Sequence, residues 1–99
     1  MLRTMRTDDL DYVVKIWLES NIQAHSFIES DYWKENKEEV RKMLPHSLIQ
    51  VAEIDGHIVG FIGMNETRIE GLFVSSDFQS RGIGHSLIEW AKTGNEELT

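Results

Sequence analysis

The sequence predicts an α/β domain in the order strand, helix, helix, strand, strand, strand, helix, around a largely antiparallel sheet. Three observations carry this. Leu48–Ile54 and His57–Met64 are β-branched, apolar runs joined by Asp55-Gly56, the preferred pair for a two-residue type I′ turn. Leu10, Val13, Val14, Trp17 and Leu18 recur at i, i+3, i+4, i+7 and i+8, one buried stripe of an amphipathic helix. A further apolar run, Ile69–Val74, leads through Gln79-Ser80-Arg81-Gly82-Ile83-Gly84 into a helical run, Ile83–Lys92.

Taken in order, Leu2–Arg6 is a short strand candidate. Thr7-Asp8-Asp9 supplies N-cap chemistry and negative charge where the first helix begins. Asn21–Glu29 breaks the helical period, and Ser30-Asp31 can cap a second helix with Trp33, Val40, Met43 and Leu44 as its apolar positions. Pro45 ends that helix, having no N–H to donate. In the hairpin, Gly60 and Gly63 are poor strand formers, which suggests a bulge or a close backbone approach. Asn65-Glu66-Thr67-Arg68 is a short polar link into an antiparallel Ile69–Val74. The last helix carries Ile83, Leu87, Ile88 and Ala91 on one side and stops at Thr93-Gly94-Asn95, with Glu96–Thr99 as the lead-in to a strand.

Ninety-nine residues make one small domain with a single core. The 40% hydrophobic and 27% charged content is that of a soluble globular chain. A net charge of −7 argues against nucleic acid as a partner, since phosphate backbones want a basic face. No apolar run reaches the length of a membrane span. With no Cys there is no thiol nucleophile, and the composition fits a reducing cytoplasm. His46, His57 and His85 share no metal-ligand spacing, so no metal site is expected. Ser26 and Ser86 lack a nucleophile-elbow pattern.

The glycine turn carries the chemistry. Glycines at a helix start let a ligand approach the backbone, and the first helical N–H groups have no partner within the helix. With the helix dipole and Arg81 beside them, they suit an anion such as a phosphate or pyrophosphate. A dinucleotide fingerprint would want a small residue where Leu87 stands, and a Walker A loop would need a Gly-Lys-Ser/Thr that is absent.

Gln79-Ser80-Arg81-Gly82-Ile83-Gly84 resembles the (Arg/Gln)-x-x-Gly-x-(Gly/Ala) signature of the GNAT superfamily, the acyl-CoA-dependent N-acyltransferases. The element order is similar to the N-terminal two-thirds of a GNAT domain, and the likeness covers essentially the whole chain. Ala24-His25-Ser26-Phe27-Ile28 with Tyr32-Trp33 is similar to a bacterial subgroup with small acceptors. The resemblance implies one N-acetyltransferase domain over residues 1–99 with a mixed sheet, lacking the family's C-terminal strand, helix and hairpin. It implies acetyl-CoA as cosubstrate, with the pantetheine arm and acetyl carbonyl on Leu72, Phe73 and Val74. The pyrophosphate would fall on Gln79, Ser80, Arg81, Gly82, Ile83 and Gly84. It also implies an amine-bearing acceptor, a small molecule or a protein. The Tyr that commonly protonates the leaving thiolate belongs to the absent portion, and neither Tyr12 nor Tyr32 stands at its position.

Proton removal from the amine calls for a carboxylate. Glu70 is the candidate, because regular alternation puts it on one strand face with Leu72 and Val74; the competing reading is an ordinary surface Glu. His25 lines an acceptor pocket or makes an ordinary hydrogen bond at a helix end. Arg81 is a pyrophosphate contact or a solvated cation, and the two glycines could serve the turn alone. If Ile69–Val74 ends the sheet, its bare edge favours self-association. A non-catalytic CoA-binding or protein-interaction remnant is the alternative function.

Overall fold

Both residues of the Asp55-Gly56 turn have positive φ, 50° and 81°, the backbone that a type I′ hairpin demands. The computed structural model describes residues 1–25, 27–66 and 68–93. Around the turn it pairs β2 (Leu48–Ile54) with β3 (His57–Asn65). β1 (Leu2–Thr4) joins the outer side of β2, and β4 (Arg68–Val74) the outer side of β3. The sheet order is therefore β1-β2-β3-β4, with every described pairing antiparallel.

Helix α1 (Leu10–Ala24) follows a 3₁₀ turn at Thr7–Asp9 and runs past the expected break. It continues because Asn21, though polar, is buried and donates from its amide to the Trp17 carbonyl at 2.8 Å. α2 (Ser30–Met43) starts where Ser30-Asp31 suggested, with Glu29 rather than Ser30 at the cap position. It gives way before Pro45, which sits in a 3₁₀ turn at Leu44–His46. α2 has no buried residue. Trp33 meets Trp17 of α1 edge-on at 5.9 Å, and Arg41 pairs with Asp11 at 3.0 Å.

The sheet is covered on both sides, so its central strand β3 is buried over six consecutive residues. On one face Val13 and Ile16 of α1 pack with Ile49, Val51 and Phe61. On the other, Leu87 and Ala91 of α3 (Ile83–Thr93) pack with Ala52, Val59, Ile62 and Met64. The expected helix stop at Gly94-Asn95 and the tail Glu96–Thr99 lie outside the described residues, as do Ser26 and Thr67.

Asp9 does more than cap. Its carboxylate accepts the Arg6 N–H at 2.7 Å and both terminal nitrogens of Arg3, at 2.6 and 3.0 Å. Arg3 also reaches Glu53 of β2 at 2.8 Å, so one guanidinium ties β1, the entry to α1 and β2 together. Hydrogen bonding to Arg3 holds the Asp9 and Glu53 carboxyls below their ordinary range and raises the Arg3 guanidinium.

Candidate active site

The site begins where two bulges interrupt the pairing of β3. Between β2 and β3 the register skips Val59, and between β3 and β4 it skips Glu70. The bulge that Gly60 and Gly63 suggested therefore falls on their neighbours, while the glycines permit close approach. A β-carbon on Gly60 would lie 2.9 Å from the Phe73 carbonyl oxygen, so only glycine lets β4 come this near.

The bulge at Glu70 overturns one expectation. An extra residue reverses the alternation along the strand. Leu72 consequently packs with the α3-side core, whereas Glu70 lines a cavity of about 190 Å³ on the α1/α2 side with Trp17, Leu44, Phe61 and Phe73. Glu70 thus does not share a face with Leu72 and Val74. Phe73 faces the α1 side as well, its ring 5.3 Å from that of Phe61.

A larger cavity, about 480 Å³, opens between the C-terminal end of α1 and the end of β4. Leu72, Phe73, Val74 and Gln79 form one wall, and Ser20, Gln23 and His25 belong to the other. Gln79 donates from its side-chain amide to the Val74 carbonyl at 3.1 Å, folding the loop back onto the strand. The Ser75 N–H donates to Val59 at 2.8 Å, so the bulge in β3 anchors the end of β4. β4 is a terminal strand among the described residues, and alternate N–H and C=O groups of its outer edge point away from β3.

From there the loop turns into α3. Ser80 has φ 65° and Gly82 φ 80°, two left-handed residues flanking Arg81. The Gly82 carbonyl accepts the Ser86 N–H at 3.0 Å, which makes Gly82 the cap of α3. The N–H groups of Ile83, Gly84 and His85 precede the first such bond and open toward the loop. A β-carbon on Gly82 would meet nothing within 4 Å, so the space above the cap is empty. One on Gly84 would rest 3.8 Å from Val74 and 3.9 Å from Leu72, ordinary contact. Arg81 is exposed, its guanidinium 5.1 Å from the centre of the Phe78 ring. Free amides, an open cap and a cation form a cradle for an anion.

The structure thus brings Leu72, Phe73, Val74 and Gln79 together at one cavity, with Ser80 through Gly84 continuing from it. Glu70 stands apart, across Phe73. Tyr12 borders a third cavity near Arg3 and Glu53, and Tyr32 packs edge-on against Trp33. Sequence reasoning missed the left-handed Ser80, which carries no compositional signal. It also missed Gly71, whose place beside a strand Glu marked the bulge. Among the described residues no three His, Asp or Glu side chains are grouped as a metal site. No described helix is long and apolar enough to cross a membrane.

The family model for the acetyltransferase (GNAT) domain matches residues 15–98. The peptidyl-lysine N-acetyltransferase YiaC of Escherichia coli is 31% identical over 99% of this chain and 68% of its own length. The solution structure of apo YjaB from Escherichia coli superposes with a TM-score of 0.87 at 29% identity, over 99% of this chain and 67% of that one. PaiA N-acetyltransferase from Thermoplasma acidophilum, solved in complex with coenzyme A, shares the fold with a TM-score of 0.79 at 17% identity, over 94% and 69%.

Proposed function

This chain belongs to the GNAT acetyltransferase family, and from that premise we propose that it moves an acetyl group from acetyl-CoA to a primary amine by direct attack on the thioester. The observation that carries the reading is the 480 Å³ cavity beside Leu72, Phe73 and Val74, whose lining reaches Gln79, the residue next in the chain to the open helix start at Ser80–Gly84. A pyrophosphate would suit the charge of Arg81 and the helix start, and Gly82 leaves the backbone open to it. A pantetheine arm would run from it along the outer edge of β4, where strand N–H groups can polarise the acetyl carbonyl. Fixed donors at a developing oxyanion lower the barrier without reorganising, and holding amine and thioester together supplies much of the rest.

The acceptor we propose is a lysine side chain of a polypeptide, in keeping with the activity named for YiaC. Its ammonium must lose a proton before it attacks. Two titratable side chains border Phe73, Glu70 on one side and His25 on the other, and either could take that proton. Cytoplasmic location belongs to the same proposal, because the donor is acetyl-CoA. So does a dimer formed through the outer edge of β4 in the ligand-free chain, which acetyl-CoA would displace by taking the same edge; sharply monomeric sedimentation without acetyl-CoA would remove that part.

Calorimetry with acetyl-CoA, followed by CoA release with lysine peptides and small amines, tests the whole. Binding and release with peptides are expected. Binding without turnover would favour a non-catalytic CoA-binding domain, and no binding would end the reading.

A further inference from the structure

We infer that His25, at the end of α1, is the residue that takes the proton from the acceptor ammonium, an inference that rests on the acetyl-transfer reading above. Three observations meet here. His25 is the one titratable side chain among the described residues lining the 480 Å³ cavity; the rest of that lining is amide, hydroxyl or apolar. Glu70, the carboxylate that strand alternation nominated, opens instead into the separate cavity beneath α2. The imidazole is also held in place from several directions.

That holding is specific. The His25 ring stacks on Trp33 at 5.4 Å with an interplanar angle of 28°, and meets Phe27 edge-on at 5.9 Å. Its backbone N–H closes α1 on the Asn21 carbonyl at 3.0 Å, and its carbonyl accepts the Ile28 N–H at 2.9 Å. A surface histidine with a solvating role needs none of this. A base must present its nitrogen within reach of the ammonium, and stacking on Trp33 restricts the plane in which the His25 ring can lie.

The surroundings suit the substrate class. Phe27 is 82% exposed and Tyr32 53% exposed, so aromatic faces stand beside the same turn. A primary ammonium on a flexible apolar stem, a lysine side chain, would be drawn to those faces and pass His25 on its way to β4. The step balances simply. An imidazole nitrogen takes one proton from R–NH₃⁺, and the freed lone pair forms the C–N bond. The C–S bond breaks with its electrons leaving on the CoA sulfur. The second amine proton ends on that thiolate, and the imidazolium gives its proton to water.

The test uses the full chain with acetyl-CoA and Nα-acetyl-lysine amide. Imidazole C–H resonances, assigned with His25→Gln, are followed by NMR as acetyl-CoA and then the lysine amide are added. The His25 signals should move on addition of the lysine amide, and those of His46, His57 and His85 should not. In the transfer assay His25→Gln should lower kcat by roughly 100-fold, a general-base effect, with acetyl-CoA affinity unchanged. His57→Gln, exposed at the hairpin, should match the wild type. An alkoxyamine acceptor, already neutral at pH 7, should restore most of the rate of His25→Gln. An unmoved His25 ring in protein that binds acetyl-CoA, or an equal loss with the alkoxyamine, overturns the inference. A chain that does not bind acetyl-CoA overturns the transfer reading itself.

Discussion

The ring of Phe73 lies across Gly71, its Cε2 2.7 Å from where a β-carbon on that glycine would stand. The ring must shift to make room and lose part of its packing on Phe61, which lies 5.3 Å from it at a tilt of 32°. Gly71→Ala should therefore destabilise the fold by about 1–3 kcal/mol, the usual cost of overpacking. It should also weaken acetyl-CoA binding, since Phe73 lines the cavity. Gly60→Ala should cost more, because its β-carbon would strike backbone rather than a side chain. Urea unfolding and calorimetry on both variants check this; an unchanged urea midpoint for Gly71→Ala would contradict the close packing.

The two glycines opening α3 should behave differently. Gly82 sits at φ 80°, where an L-residue costs about 1–2 kcal/mol. Gly82→Ala should lower the melting temperature and weaken acetyl-CoA binding together. Gly84→Ala finds only ordinary contacts at 3.8 and 3.9 Å and gains helix propensity, so it should be neutral or stabilising by up to about 1 kcal/mol. Equal losses in the two variants would show that both glycines serve the ligand and not the backbone.

Arg81 is exposed and rests on Phe78, so its removal should leave stability almost untouched. If it faces a pyrophosphate, Arg81→Ala should weaken acetyl-CoA by about tenfold, as expected for one charge-assisted hydrogen bond. The variant should also show a flatter dependence of affinity on salt. Identical salt curves for variant and wild type would return Arg81 to the role of a solvated cation.

Acid should weaken the fold through the Arg3 cluster. The Asp9 and Glu53 carboxyls are held below their ordinary range by hydrogen bonds from Arg3. Their contribution is therefore fully present above the unfolded values, near pH 4, and is lost as pH falls through the lower folded values. Thermal melting should be level from neutral pH to about pH 5 and drop below about pH 4. Asp9→Asn should melt several degrees lower at pH 7, since Arg3 would keep its charge with one full partner gone. It should also lose part of the acid sensitivity. A melting curve as steep in acid as that of the wild type would assign the drop elsewhere.

What could be read in the sequence was what neighbours in the chain decide. Asp55-Gly56 specifies its turn through its own φ angles, and Pro45 stops α2 by its own missing N–H. The 3.6-residue period found α1 but ended it early, because Asn21 looks like a surface residue until its bond to Trp17 is seen. The face expected for Glu70 failed for a sharper reason. Parity along a strand assumes an uninterrupted ladder, and a single extra residue opposite Gly63 and Met64 reverses it. Asp9 was legible as a cap, whereas its hold on Arg3, and through Arg3 on Glu53, spans the chain and leaves no local trace. The glycine-led start of α3 was legible because its backbone demands are again local.

The two sides of this molecule are built to different tolerances. β3 is packed front and back, and Gly60 admits β4 at a distance that leaves no slack. α2 has no fully buried residue and meets α1 through Trp33, which touches Trp17 and His25, and through the Arg41–Asp11 ion pair. Substitutions along α2 should therefore be tolerated more readily than those in β3, and on the proposed reading they would reshape the acceptor side while leaving the donor side as it is. A family wishing to exchange one acceptor for another would need to rewrite little else.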